Sequence, residues 1–195
     1  NAFAPIALLS QYSARGLRSF IYASSGNVYW SGRRDSREIS EFPNRDIYSA
    51  SKIAAEELLV PWRDVCPLGI VRIYTAYGPG AAAGTMVASL RDRIRAKEPI
   101  TLSGPEGDIF QPTYAGDIAH CLVNASLAQW TGAADVAGPE RLSIRQVSDR
   151  LATQIGDTAT YVIRDVEPQD FGSRGVLLQD DFWPDQQVSF PGPHQ

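Results

Sequence analysis

The pattern of apolar and polar positions along the chain predicts helices that alternate with strands. Apolar residues recur at the spacing of a helix in segments 1–15, 46–60, 85–97, 117–129 and 143–156. Short apolar or alternating runs predict strands at 19–23, 68–74, 100–103 and 161–166. Continuous apolar strands are typical of sheets that are covered on both faces. The alternation therefore predicts an α/β fold with a largely parallel sheet.

Signals at the ends of elements support several of these assignments. Ser143 and Gln146 have the spacing of a capping box, and Gly156 stands where a helix would end. Segment 31–45 is polar and rich in arginine, which is typical of a surface loop. Segment 167–195 mixes aromatic residues with acids, glycines and prolines without a period, so we assign no structure to this acidic tail.

Composition narrows the class of protein. The chain has 195 residues, of which 44% are hydrophobic and 21% charged, and its formal net charge of -4 gives no reason to expect a nucleic-acid partner. No apolar run approaches the ~18 to 20 residues of a membrane helix, so we predict a cytoplasmic protein without a membrane partner. Cys66 and Cys121 have no cysteine or histidine at ligand spacing, which predicts reduced structural thiols and no metal site.

The start of the chain is unusual for a complete protein. Its only methionine is Met86, and the first helical pattern begins at Asn1 itself. We therefore expect that a segment upstream of Asn1 belongs to the parent protein.

Tyr48 and Lys52 form the first pair of residues with a chemical interpretation. They lie four positions apart on a predicted helix, so both side chains project from one face about a turn apart. A phenol has a pKa of about 10, and a lysine cation nearby favours the phenolate, which can exchange protons with an alcohol. The same spacing also fits a surface tyrosine beside an exposed lysine.

Ser24 and Ser25 end a predicted buried strand. Groups at the carboxyl ends of parallel strands are those that contact ligands in α/β sheets. A serine hydroxyl at this place can orient a substrate oxygen for proton removal by Tyr48. The alternative is a strand-to-loop turn that is capped by serines. The order strand, Ser-Ser, loop, Tyr-x-x-x-Lys helix, strand is more specific than either feature alone.

Three segments carry motifs in this order. Residues 19–30 combine a strand with a Ser-Ser-x-x-Val-Tyr sequence, residues 48–52 contain Tyr-x-x-x-Lys, and residues 72–80 combine a strand with a Tyr-Gly-Pro turn. With weaker similarity to about residue 166, the chain resembles the extended short-chain dehydrogenase/reductase family, which includes nucleotide-sugar epimerases and dehydratases. The resemblance implies a Rossmann-like doubly wound parallel sheet with a small α/β substrate-binding portion.

The resemblance also implies roles for individual residues. Tyr48 is the expected acid/base, Lys52 is expected to favour its phenolate form and to bind the nicotinamide ribose, and Ser25 is expected to hold the reacting hydroxyl. Further cofactor contacts are expected from Ala23, Ser24 and Tyr74. Further substrate contacts are expected from Gly26, Asn27, Thr75 and Thr85. The implied cofactor is NAD or NADP, and the implied partner is a sugar-like small molecule.

The chain departs from the family pattern at several positions. It contains no Gly-x-x-Gly-x-x-Gly turn, which fits the loss of an upstream βαβαβ half of on the order of 80 to 100 residues. Gly26-Asn27 stands where dehydratases of the family carry Asp-Glu, so dehydration is disfavoured. Phe110-Gln111-Pro112 stands where many relatives carry Arg-Asp-Phe, whose arginine binds the nucleotide diphosphate, and this argues against a nucleotide-sugar substrate. Trp30 replaces the usual glycine.

These features predict the carboxyl-terminal part of an NAD(P)-dependent oxidoreductase or epimerase that acts on a secondary hydroxyl of a sugar or nucleotide-sugar-like substrate. Epimerisation is favoured, although a simple reductase uses the same three residues, and we expect the 195 residues alone to be inactive. The alternative is a non-catalytic binding or assembly module that retains the fold.

The predicted organisation has three parts. Residues 1–83 would form the carboxyl-terminal half of the dinucleotide-binding domain, residues 84–166 a substrate-binding portion interleaved with its last elements, and residues 167–195 the tail. Helices 1–15 and 46–60 correspond to those that pair relatives of the family into dimers, so we expect a homodimer.

Overall fold

The computed structural model describes residues 2–29 and 47–190. The predicted surface loop at 31–45 and Trp30 lie outside the described residues. The chain divides into two compact units. The first unit consists of Asn1–Ile73, His120–Val136 and Arg174–Phe182. The second unit consists of Tyr74–Ala119, Ala137–Ser173 and Trp183–Gln195.

The described part of the chain contains five α-helices and nine strands. The helices are α1 (Phe3–Tyr12), α2 (Ile47–Leu59), α3 (Met86–Arg95), α4 (Ala115–Leu127) and α5 (Ile144–Ile155). The strands are β1 (Phe20–Ser25), β2 (Leu68–Ile73), β3 (Ala76–Tyr77), β4 (Ile100–Ser103), β5 (Ile109–Phe110), β6 (Thr113–Tyr114), β7 (Gly132–Val136), β8 (Leu142–Ser143) and β9 (Tyr161–Arg164). The five predicted helices and four predicted strands are thus confirmed, while β3 and β5 to β8 are additional.

The ends of the helices follow the sequence signals. The Ser143 hydroxyl accepts a hydrogen bond from the Gln146 backbone N–H, and the Gln146 side chain accepts one from the Ser143 N–H, so the predicted capping box is present. Gly156 ends α5 in the left-handed conformation, with φ of 76°. Helix α2 ends at Leu59, and the 3₁₀ turn Val60–Asp64 that follows contains Pro61.

The first unit contains a three-stranded parallel sheet in the order β1-β2-β7. Its register pairs Ser25 with Ile73, and Ile73 with Val136, so the three strands end side by side. On one face, Leu9 of α1 and Leu59 of α2 pack against a hydrophobic cluster that includes Tyr22, Leu68 and Ile70. On the other face, the close approach of Trp130 to Gly69 leaves no room for a Cβ at that glycine.

Helices on both faces of this parallel sheet give the Rossmann-like α/β class that the sequence predicts. Ser19 next to β1 donates a 2.8 Å hydrogen bond to the carbonyl oxygen of Ser126 on α4, which attaches α4 to the face opposite α1 and α2. The doubly wound arrangement is therefore confirmed.

The second unit is built from two-stranded sheets and two packed helices. The pairs β3-β6 and β4-β9 are parallel, and the pair β5-β8 is antiparallel. Helices α3 and α5 pack together over a core that includes Ile94, Leu102, Val147 and Phe190. These two units are compact groups of residues and do not show what either one binds. The predicted cofactor-binding part (1–83), substrate-binding part (84–166) and tail (167–195) therefore stay a prediction.

The described part of the acidic tail, to which the sequence pattern assigns no structure, is packed into the protein. Its residues from Glu167 include the 3₁₀ turn Asp180–Phe182, and Leu177 bridges to Asp135 of β7 in the parallel sense. Within residues 167–190, four of its apolar side chains are buried, namely Leu178, Phe182, Trp183 and Phe190. The tail therefore supplies core residues to both units.

Among the helices that the structure describes, none combines the length and apolar character needed to cross a membrane.

Candidate functional site

The end of β1 places two serines where the sheet presents its carboxyl edge. Ser24 and Ser25 are the last two residues of the strand, and both are buried. Successive side chains of a strand point to opposite faces, so the two hydroxyls serve different purposes. The Ser24 hydroxyl donates a 2.6 Å hydrogen bond to Glu56 Oε1 on α2.

The Ser25 hydroxyl accepts a 3.3 Å hydrogen bond from the backbone N–H of Asn27. This contact uses an oxygen lone pair, so the hydroxyl hydrogen can still be donated to a ligand. Gly26 and Asn27 begin the 3₁₀ turn Gly26–Tyr29, which directly follows the strand. The predicted substrate residues Ser25, Gly26 and Asn27 are thus consecutive at one strand tip.

Lys52 ties α2 to β1. Its ammonium donates a 2.7 Å hydrogen bond to the carbonyl oxygen of Ala23 and lies 4.9 Å from the centre of the Tyr22 ring. Burial lowers the pKa of Lys52 from its usual value, and the Glu56 carboxylate partly opposes that shift. An ammonium carries three N–H donors, so this lysine can bind a ligand while it holds Ala23.

Tyr48 lies one turn before Lys52 on the same face of α2. The Lys52 ammonium is 5.8 Å from the centre of the Tyr48 ring. Tyr48 is 46% exposed, so a ligand can reach it. The helix therefore brings a phenol and an ammonium together as the spacing predicts, beside the strand that ends in Ser25.

The other three predicted ligand residues belong to the second unit. Tyr74 directly follows β2 and is buried, and the carbonyl oxygen of Thr75 accepts a 3.0 Å hydrogen bond from the N–H of Thr113. Thr85 precedes α3 and donates a 3.0 Å hydrogen bond to the carbonyl oxygen of Ala82. Thr85 also lines a cavity of about 220 Å³ whose walls include the predicted Tyr-Gly-Pro turn.

Four polar residues around β1 and β2 are not singled out by the sequence patterns. Arg72 binds Glu56 with two hydrogen bonds of 3.0 and 2.7 Å, and it donates a third, of 2.7 Å, to the Tyr29 hydroxyl. Tyr29 in turn donates a 3.0 Å hydrogen bond to Asp135 on β7. Only Glu56 could have been found from the sequence, because it follows Lys52 by four residues and therefore shares its helix face.

Phe110 and Gln111 make contacts with other residues of the second unit. Phe110 stacks on Phe171, with ring centres 5.1 Å apart. The buried Gln111 donates a 2.7 Å hydrogen bond to the carbonyl oxygen of Gly138 and accepts one of 2.9 Å from the N–H of Ser173. These side chains contact other parts of the protein, and the absence of a nucleotide-diphosphate contact at this segment stays a prediction.

Metal ligands and reactive thiols do not contribute to the described arrangement. Within residues 2–29 and 47–190, no group of three histidine, cysteine, aspartate or glutamate side chains is placed to hold a metal ion. Cys66 and Cys121 are buried free thiols, and burial raises the pKa of Cys66. The chemistry that the site offers is proton exchange by a phenol beside an ammonium and a serine hydroxyl.

Comparison with solved structures shows what the fold is similar to. The UDP-glucose 4-epimerase of Thermus thermophilus, solved with NAD, is 22% identical over 97% of this chain and 66% of that protein, with a TM-score of 0.68. The UDP-glucuronic acid 4-epimerase of Bacillus cereus, solved with UDP-glucuronic acid and NAD, is 20% identical over 93% of this chain and 59% of that protein, with a TM-score of 0.69.

The dTDP-glucose 4,6-dehydratase of Bacillus anthracis str. Ames, solved with NAD, is 17% identical over 91% of this chain and 58% of that protein, with a TM-score of 0.67. At these identities the likeness shows the fold. The chain spans less than two thirds of the length of each of these three proteins. Comparison with curated proteins finds no significant match.

The sequence itself matches a family model. The model describes the NAD dependent epimerase/dehydratase family, and the match covers residues 1–134, which is more than half of the chain. This confirms the resemblance carried by the Ser-Ser, Tyr-x-x-x-Lys and Tyr-Gly-Pro motifs. The chain belongs to the NAD dependent epimerase/dehydratase family.

Proposed function

We propose that the protein is an NAD(P)-dependent epimerase, or a closely related oxidoreductase, that acts on a secondary hydroxyl of a sugar or nucleotide-sugar-like substrate. The observation that carries the proposal is the placement of Tyr48 and Lys52 on one face of α2, with Lys52 bound to β1. That bond fixes the helix beside the strand tip that carries Ser25.

In this proposal Tyr48 exchanges the substrate proton. Its phenolate oxygen accepts the proton of the substrate hydroxyl, and the Lys52 ammonium favours the phenolate by its charge. The Ser25 hydroxyl donates a hydrogen bond to the same substrate oxygen and so orients it. For epimerisation, Tyr48 returns the proton after the carbinol centre has been inverted.

The residues at the end of β1 fit the nicotinamide end of a dinucleotide. One N–H of the Lys52 ammonium binds Ala23, so its other N–H groups can donate to ribose hydroxyls. Because the ammonium is partly buried, hydroxyls of a bound ribose would replace contacts that water makes at an exposed lysine. A bound nicotinamide would take up the hydride of the carbinol carbon and return it. The three solved structures named above each contain NAD, which supports the same cofactor class.

The substrate class is supported by two features of the second unit. The cavity beside Thr85, of about 220 Å³, is smaller than pockets that enclose a drug-sized ligand and has a size that suits a small group such as one sugar ring. Phe110 and Gln111 are occupied with contacts inside the protein, so the diphosphate of a nucleotide sugar would have to be bound elsewhere. Gly26-Asn27 supplies no carboxylate pair, which favours epimerisation over dehydration.

The experiment that tests the proposal compares two tyrosines of similar exposure. The full-length protein that contains these 195 residues is incubated with NAD and with UDP-glucose or UDP-glucuronic acid, and epimer formation is followed by NMR. Tyr48→Phe should lower turnover on the order of 10²- to 10⁴-fold, because it removes the acid/base oxygen. Tyr12→Phe, on α1, should leave turnover unchanged. Equal rates for wild type and Tyr48→Phe would refute the role of Tyr48.

A second candidate function is a non-catalytic module that retains the fold. The contacts of Phe110 and Gln111 inside the protein favour it, because these side chains stand where relatives bind the substrate diphosphate. The same assay separates the candidates, because a module shows no epimer with any substrate and no difference between Tyr48→Phe and wild type.

We further propose that α1 and α2 pair two copies of the protein. Both helices expose large apolar side chains, namely Phe3, Leu8 and Tyr12 on α1 and Ile47 and Leu58 on α2. Exposed apolar patches of this kind mark association surfaces. The double variant Phe3→Ser, Leu8→Ser should convert a dimer into a monomer in light scattering, whereas a monomeric wild type would contradict the proposal.

A further inference from the structure

A continuous line of polar contacts crosses the carboxyl edge of the sheet in the first unit. It begins at Ser24 on β1, passes through Glu56 on α2 and Arg72 on β2, and continues through Tyr29 to Asp135 on β7. The successive distances lie between 2.6 and 3.0 Å. All three strands and the helix that carries Tyr48 and Lys52 are therefore joined by one network.

The first half of the network holds the predicted active-site elements together. Glu56 accepts from the Ser24 hydroxyl and from the Nε–H and Nη2–H groups of Arg72, a bidentate arrangement with strong directional preference. Glu56 lies one turn after Lys52, and Lys52 already binds the carbonyl oxygen of Ala23. Helix α2 is thus attached to β1 at two successive residues, Ala23 and Ser24, directly before Ser25.

The second half of the network holds the tail. Asp135 is fully buried, and a buried carboxylate is costly unless its oxygens are hydrogen-bonded. Its Oδ1 accepts from Tyr29, and its Oδ2 accepts from the backbone N–H of Gly175 at 2.7 Å and of Arg174 at 3.2 Å. The backbone of Asp135 also bonds to Val176 and Leu178, so segment 174–178 lies along β7.

Gly175 is required by the closeness of this contact. A Cβ at residue 175 would lie 2.2 Å from the Tyr29 hydroxyl and about 3 Å from both carboxylate oxygens of Asp135. These atoms are fixed by their own hydrogen bonds, so they have little freedom to move away. The tail therefore meets the network through a backbone that only glycine allows to approach so closely.

We infer that segment 174–178 is a positioning element of the site: Asp135 binds it and, through Tyr29, Arg72 and Glu56, transmits its docking to the helix that carries Tyr48 and Lys52. The positioning part of this inference rests on the proposed function, whereas the coupling itself does not. Asp135, Tyr29, Arg72 and Glu56 act through other residues and are not catalytic.

The test uses the two lysines of the sequence, Lys52 and Lys97. With lysine labelled at the ε-carbon, NMR gives two side-chain signals that Lys97→Arg assigns, and the Lys97 signal serves as the internal reference. Gly175→Ala should speed hydrogen exchange of the amides of 174–178 on the order of tenfold or more, because it breaks charge-assisted hydrogen bonds. It should also displace the pH titration of the Lys52 signal, because a shift of Tyr29 moves Arg72 and, with it, the Glu56 carboxylate whose charge acts on Lys52.

Two further variants test the coupling between segment 174–178 and Lys52. Val176→Ala is the matched control, because this side chain is 78% exposed, and it should change neither readout. Glu56→Gln weakens the network at the contact between Glu56 and Arg72. It should speed hydrogen exchange of the amides of 174–178, since coupling is reciprocal. A faster tail with an unchanged Lys52 signal in Gly175→Ala, or an unchanged tail in Glu56→Gln, would overturn the inference.

These outcomes are separate from those of the proposed function. If Tyr48→Phe retains turnover while Gly175→Ala moves both readouts, the catalytic role fails and the coupling stands. If Tyr48→Phe abolishes turnover while Gly175→Ala leaves the Lys52 signal in place, the coupling fails and the catalytic role stands.

Discussion

The ammonium of Lys52 donates a 2.7 Å hydrogen bond to the carbonyl oxygen of Ala23, and this bond fixes the helix of Tyr48 to the neighbouring strand. Lys52→Met removes both this bond and the charge beside Tyr48. We expect turnover in the NMR epimer assay to fall on the order of 10²-fold or more.

Turnover should fall without unfolding of the protein. Burial disfavours the charged form of Lys52, as its lowered pKa shows, so an uncharged methionine avoids that cost. Lys97→Met is the control, since it removes only a surface ion pair with Asp157, and such pairs contribute little. Equal turnover in the two variants would show that Lys52 has no role in the reaction.

Tyr22→Phe should stabilise the protein. The Tyr22 ring is buried against Lys52, but within the described residues its hydroxyl has no hydrogen-bond partner. Removal of an unpaired buried hydroxyl should raise the free energy of unfolding by about 1 kcal/mol at pH 7. A fall of similar size in urea unfolding would mean that the hydroxyl has a partner in solution.

The same variant should change the response to alkali. Burial, and then the charges of Glu56 and Tyr48, raise the pKa of Tyr22 to about 12. The folded state therefore keeps this proton between pH 10 and 12, where the unfolded chain loses it, so the wild-type protein loses stability as the pH rises from 10 through 12. The difference in unfolding free energy between Tyr22→Phe and wild type should grow over this interval, and a constant difference would contradict the assignment.

Gly138→Ala should destabilise the second unit severely. A Cβ at Gly138 would lie 1.8 Å from the carbonyl oxygen of Pro112, a backbone atom that cannot move without its neighbours. Gly69→Ala offers a graded comparison, because its Cβ would meet the side chains of Trp130 and Ile21 at 2.7 and 2.8 Å. We expect about 1–3 kcal/mol for Gly69→Ala and more for Gly138→Ala in urea unfolding. The reverse order would show that the backbone at Pro112 adjusts easily.

Ser143→Ala should cost about 1 kcal/mol of stability, because it removes the acceptor for the Gln146 N–H at the start of α5. Ser143→Gly is the matched variant, since glycine at this position costs only a few tenths of a kcal/mol. Thermal unfolding of the two variants measures the difference. A midpoint of Ser143→Ala equal to that of the wild type would mean that the capping box contributes nothing.

The elements with a clear period were predictable from the sequence, and strand β7 was not. Its sequence, Gly-Ala-Ala-Asp-Val, has one β-branched residue and a charged side chain, so it lacks the composition of a strand. It forms because pairing with β2 satisfies its backbone and because Asp135 finds partners in Tyr29 and the tail. Contacts between distant parts of the chain leave no periodic signal.

The placement of Tyr48 beside Lys52 and of Ser25 at a strand end was predictable from the sequence, because the first two share a helix face and the third ends an apolar strand. Their roles stay a proposal. The network around Glu56 and Arg72 could not, because its members lie up to about a hundred residues apart and each follows an ordinary local pattern. The buried tail was missed for the same reason. Its aromatic side chains are spaced for two separate cores rather than for one helix or strand.

The first unit is assembled from three stretches that are separated along the chain. During synthesis, β1, α2 and β2 leave the ribosome well before β7, and segment 174–178 follows after about forty more residues. Until then Asp135 lacks its amide donors and the edge of β7 has no neighbour, which is the condition in which partly made chains associate wrongly. Growing chains of this protein should therefore depend on chaperones until Leu178 has emerged.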